Sequence, residues 1–122
     1  MSNQNLSAPI VLSRAGSGRA TAYQEHHKII TVGQRTHVAW LDAGQDGFWV
    51  RGRTLDRATG EWGAVITIGE AQDNHGGPAL KVDGEGYLHI LYYPHPAQFR
   101  YRRSPRPNDF SGWGKEIRFG EE

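Results

Sequence analysis

Residues 79–120 read ALKVDGEGYLHILYYPHPAQFRYRRSPRPNDFSGWGKEIRFG. A short apolar stretch runs into Asp83-Gly84-Glu85-Gly86, a hairpin turn in which glycine is free to take positive φ. A second stretch carries the central His89, and a loop leads to a third that begins at Phe99. A polar loop then ends in Trp113-Gly114, and a last stretch ends in Gly120. The spacing predicts strands at about 79–83, 87–93, 98–104 and 115–119.

Residues 29–69, IITVGQRTHVAWLDAGQDGFWVRGRTLDRATGEWGAVITIG, repeat the pattern. His37 is matched by His89, 52 residues on, while Phe48, Trp62 and Gly69 are matched by Phe99, Trp113 and Gly120, each 51 on. Strands are predicted here at about 28–32, 36–41, 48–54 and 64–68. They carry few polar positions, as strands covered on both faces do, and no segment shows a 3.6-residue apolar period. Four-stranded antiparallel units recurring at about 50 residues are the mark of propeller blades. The expected fold class is therefore all-β: a β-propeller fragment of two four-stranded antiparallel blades, at residues 26–72 and 73–122. Residues 1–25 form an N-terminal segment in which Pro9–Ser13 is readable as one strand of another blade and Ala15–Arg19 as a flexible turn.

Composition sets outer bounds. The 122 residues amount to one domain at most, and a net charge of +1 argues for neither nucleic acid nor a membrane surface. With no cysteine, disulfides and thiolate metal sites are excluded. Sixteen glycines and nine Trp and Tyr residues suit short strands with tight turns. Neither a transmembrane run of about 20 apolar residues nor the apolar core of a signal peptide occurs, so localisation stays open.

The loops carry a resemblance. Thr54 to Trp62 resembles a degraded Asp-box, the hairpin motif of sialidase-type blades, and Ser104 to Trp113 is its longer counterpart. The Asp of such a box accepts bonds from loop amides and its Trp packs between blade faces. The run Asp73-Asn74-His75, the apolar strand from Ala79, Tyr87-x-His89, Tyr92-Tyr93 and His95, then Tyr101-Arg102-Arg103-Ser104 and Pro107 to Trp113, resembles the BNR-type, sialidase-like propeller family that includes the seven-bladed ulvan lyases. The resemblance is close over residues 73–113 and generic over 26–72. It implies an acidic-polysaccharide lyase acting by β-elimination, in which His75 and His95 match the paired catalytic histidines. It implies no cofactor, an acidic polysaccharide as partner, and export of full-length relatives. A Tyr and an Arg from later blades would also take part, and a seven-bladed ring needs roughly 350 residues. The chain alone is accordingly expected to be incomplete for catalysis.

The repeat supplies an internal control: a residue present in both copies serves the blade, and a residue in one copy is a better site candidate. His37 and His89 are equivalent and read as buried strand histidines, each satisfied by a hydrogen bond. His75 and His95 have no such partner. One precedes the first strand of its blade and the other follows the second, so a meander brings both loops to one end. Asn74, Tyr93 and Arg102 complete the candidate sugar-binding set, although the alignment places Arg51 at the position of Arg102. Arg100, Arg102, Arg103 and Arg106 form a basic cluster that reads as a solvated strand edge. No metal site is expected, because no spacing brings three ligands together. The rival functions are a non-catalytic carbohydrate-binding module and a structural repeat unit. In every case, two outer sheet faces bearing Trp and Tyr are expected to favour self-association.

Overall fold

The computed structural model describes residues 8–21, 27–92 and 98–120, with nine strands and no helix among them. The strands form two antiparallel sheets. The first holds β1 (Ile29–Val32), β2 (Arg35–Gly44), β3 (Gly47–Asp56), β4 (Glu61–Trp62) and β5 (Ile66–Glu70). The second holds β6 (Ala79–Val82), β7 (Leu88–Tyr92), β8 (Phe99–Arg103) and β9 (Ile117–Phe119), in that order. The second sheet has the four strands expected. The first has five, because β4 and β5 both pair with β3. The extra strand follows from the Asp-box turn. Asp56 Oδ1 accepts from the amides of Ala58 (2.9 Å) and Thr59 (3.3 Å), and the Asp56 carbonyl accepts from Gly60 N at 2.7 Å. So tight a turn folds Glu61-Trp62 straight back onto Asp56-Leu55. In the longer second loop, Asp109 Oδ1 caps Ser111 N at 3.0 Å in the same way.

The register corrects one equivalence. If His37 matches His89, then Val38 matches Ile90, and their partners across the sheet are Arg53 and Arg102. Arg53, not Arg51, is therefore the counterpart of Arg102. Their bonds agree: Arg53 Nε donates to the Gly63 carbonyl (2.8 Å) and Arg102 Nη1 to the Gly114 carbonyl (3.2 Å), each the glycine that follows the loop tryptophan. Gly63 N and Gly114 N donate in turn to Thr54 O and Arg103 O, both at 2.8 Å.

The core lies between the sheets. Ala39, Leu41, Val50 and Ile68 from the first meet Leu80, Leu88, Ile90, Tyr92 and Phe110 from the second. Two glycines allow the approach. A Cβ on Gly52 would lie 2.2 Å from Phe110 Cζ, and one on Gly69 2.2 Å from the Tyr92 hydroxyl. The aromatic rings occupy the space those missing side chains leave, and each buried large side chain contributes about 1.5–3 kcal/mol. Tyr92 Oη donates to Glu116 Oε1 at 2.6 Å. Burial first, then the bond to the Glu116 carboxylate, pushes that phenol up to about 12.

Pro9–Ser13 is not a strand. The segment instead continues the edge of β2 where β1 stops. Ala43 N donates to Ala15 O (2.7 Å), Ser17 N to Leu41 O (3.0 Å) and Leu41 N to Ala20 O (3.3 Å), around one bridge between Gly16 and Asp42.

Candidate functional site

The β5–β6 connection, residues 71–78, sits at the same end as the β2–β3 turn and the C-terminal end of β7, because strands of a meander alternate in direction. The connection is anchored at both ends. Ala71 is wholly buried and donates its N–H to Phe48 O at 2.9 Å, and Gly76, Gly77 and Pro78 are buried. Between these anchors Asp73 Oδ1 accepts from His75 N at 2.7 Å, an Asx turn, and lies 3.3 Å from His75 Nδ1. The turn holds the backbone while the imidazole stays half exposed, at 47%. The neighbouring Asn74 is half-buried. Its Oδ1 is buried without a hydrogen-bond partner among the described residues, and its Nδ2 lies beside Gly18 of the N-terminal segment. An unpaired buried amide oxygen costs about 1–3 kcal/mol, which a ligand donor or a water recovers.

Tyr93 and His95 lie outside the described residues. The strand that leads to them ends at Tyr92, on the His75 end of the sheet.

His37 and His89 are structural, as the repeat implies. His37 is wholly buried, with Thr54 Oγ1 at 2.8 Å from Nδ1 and Asn108 Oδ1 at 2.7 Å from Nε2. Asn108 Nδ2 donates to Val32 O, so its Oδ1 accepts and the His37 proton sits on Nε2. Burial pushes this imidazole below its usual value, against the opposing effect of the Asn108 bond. His89 bonds through Nε2 to Asp83 Oδ2 (2.7 Å) and through Nδ1 to Tyr101 Oη (2.6 Å), but is only half-buried, at 26%. Its bond, chiefly, holds the Asp83 carboxyl below the usual range.

Arg102 is not brought to His75. It lies mid-strand on the face turned to the first sheet and holds the Gly114 carbonyl, the task Arg53 performs in the other copy. By the repeat control it belongs to the blade. The basic cluster is likewise divided among separate partners. Arg100 lies 3.7 Å from Glu116, Arg103 stacks 3.9 Å over the Tyr87 ring, and Arg106 pairs with Asp109 at 3.1 Å. Among the described residues no three His, Asp or Glu side chains converge as metal ligands. The sequence did not reveal that the N-terminal segment borders the site at Gly18, since nothing in its composition marks that contact.

Two antiparallel sheets stacked face to face, each a meander with an Asp-box-type loop, define a pair of β-propeller blades. The chain belongs to the BNR repeat-containing family, whose model matches residues 15–122. It is 28% identical over 110 residues to an ulvan lyase from Alteromonas sp. (strain LOR), and 27% identical over 112 residues to Ulvan Lyase-PL25 from Pseudoalteromonas sp. (strain PLSV). The matches cover 82% and 84% of this chain but only 22% of either relative. Two solved structures of a PL25 ulvan lyase, one bound to -[GlcA(1-4)Rha3S]-, superpose with TM-scores of 0.69 at 23% and 24% identity. They cover 85% and 84% of this chain and correspond to 28% of theirs. At that identity the superposition establishes the fold.

Proposed function

We propose that the end of the blade pair carrying His75 handles an acidic, uronate-containing polysaccharide, and that His75 and His95 serve a lyase-type β-elimination there. The observation that carries this proposal is the position of His75. Unlike His37 and His89 it is displayed at the surface, it is held exposed by its own Asx turn, and it stands beside a buried amide oxygen that has no partner among the described residues. The likeness to ulvan lyases, one of them solved with a glucuronate–rhamnose sulfate ligand, supports the choice of substrate class.

The chemistry needs three things. A base removes the proton beside the uronate carboxylate, an acid protonates the departing glycosidic oxygen, and positive charge or hydrogen-bond donors neutralise the carboxylate as charge builds on it. Imidazole, with a reference pKa of about 6.5, serves as either base or acid near neutrality. Asn74 and Tyr93 supply hydrogen bonds to the sugar. The carboxylate-neutralising cation comes from another blade surface.

The test is retention of the chain in native gels containing ulvan or a neutral glucan. Ulvan is expected to retard the wild type and the glucan to leave it unshifted. His75→Ala and His95→Ala should each weaken retention at least tenfold in apparent affinity. Equal retardation by both polymers, or full retention by both variants, overturns the proposal.

A further inference from the structure

The backbone that leads to His75 is strained. Gln72 has φ +69°, in the left-handed region, and across it Asp73 N donates to Ala71 O at 2.9 Å. A bond from residue i+2 back to residue i around a positive φ is the rare, strained form of the γ-turn. Strain of this kind persists only where the surrounding structure over-determines it. Here Ala71 on one side and Gly76 to Pro78 on the other are buried and hold the loop in place.

What the strained turn places is Asp73. Its carbonyl accepts from Gly76 N at 3.3 Å. Its Oδ1 accepts from His75 N at 2.7 Å and lies 3.3 Å from His75 Nδ1. One carboxylate oxygen thus meets both the backbone and the ring of the same histidine. The blade does not require this residue: the corresponding stretch of the first copy, residues 21–26, reads TAYQEH and has no aspartate.

We infer that Asp73 is a positioning residue for His75: its carboxylate keeps the neutral imidazole protonated on Nδ1, which leaves Nε2 as the proton-accepting nitrogen. An ionised carboxylate only accepts, and a neutral imidazole carries one N–H, so a carboxylate beside Nδ1 favours the proton there. His37 holds the opposite tautomer, with its proton directed to Asn108 from Nε2. An imidazole whose tautomer is set in advance enters proton transfer without rearranging. That use of His75 rests on the polysaccharide proposal; the tautomer itself does not.

The experiment is long-range proton–nitrogen correlation of the imidazoles at about pH 9, above the reference histidine pKa of about 6.5. It compares the wild type with Asp73→Asn and Asp73→Ala. Asparagine also forms Asx turns, so Asp73→Asn keeps the loop and removes the charge. In the wild type, His75 should be protonated on Nδ1. In Asp73→Asn the ratio of Nδ1–H to Nε2–H should fall about fivefold, the difference between a charge-assisted and a neutral bond at a half-exposed site. Asp73→Ala should fall at least as far. His37 should stay protonated on Nε2 in all three, which reports an intact blade. A wild-type His75 protonated on Nε2, or a ratio that moves less than about twofold in Asp73→Asn, overturns the inference. Ulvan gels run on the same samples separate the two proposals. The expected tautomers in a chain that ulvan does not retard uphold the role of Asp73 and overturn the polysaccharide reading. An unchanged tautomer in a chain that ulvan does retard overturns the role of Asp73 alone.

Discussion

At the residue scale, histidine separates structure from site. His37 is buried between Thr54 and Asn108, whereas His75 is displayed. Because burial lowers the His37 pKa, the unfolded chain binds a proton that the folded chain refuses. Its contribution to stability is therefore complete above about pH 6.5 and is lost as pH falls from there toward the lowered folded value. Urea midpoints should drop between pH 7 and pH 5.5 in the wild type, and the drop should flatten in His37→Asn. Asp83, Asp109 and Glu116, all held low, act in a separate and more acidic window. His75→Ala should leave the unfolding free energy from urea titration within about 0.5 kcal/mol of the wild type, as at other exposed positions. Gly52→Ala should cost about 1–3 kcal/mol, since its Cβ meets both Phe110 and the Val38 carbonyl. The two roles of histidine were legible in the sequence because the repeat doubles one pair and not the other. Asn108 was not: it lies 71 residues from His37, and no local pattern reports so distant a contact.

At the scale of elements, the eight principal strands and their order follow from alternation and from the glycine turns. The additional strand of the first sheet, β4, did not announce itself, because two residues are too few to show a period. The third-strand alignment slipped for a physical reason. The first hairpin runs unbroken for ten residues on each side of Gln45-Asp46, while the second pairs only four residues before residues 93–97 intervene. Anchoring on Phe48 and Phe99 hides that difference, and the register restores Arg53 as the mate of Arg102. Arg102→Ala should then destabilise the chain by about 1–3 kcal/mol, the worth of a charge-assisted bond to Gly114. It should leave gel retention on ulvan unchanged. Lost retention with unchanged stability would return Arg102 to the site.

At the scale of the molecule, a blade has two faces and two ends with different duties. Faces carry blade-to-blade packing, and the sheet interface shows it: aromatic rings seated on Gly52 and Gly69. One end carries the Asp-box turns. The other collects the connections that hold His75, and that division was legible because loop order in a meander fixes which loops share an end. The central claim, that the sugar is met at the His75 end, is tested most directly by backbone amide chemical-shift mapping with an unsaturated-uronate-capped ulvan oligosaccharide. Shifts should concentrate in residues 71–78 and 93–98, with Gly18 alongside, and leave Asp83–Gly86 and Arg57–Gly60 still. Shifts gathered on those opposite turns, or spread across the outer sheet faces, would contradict the account.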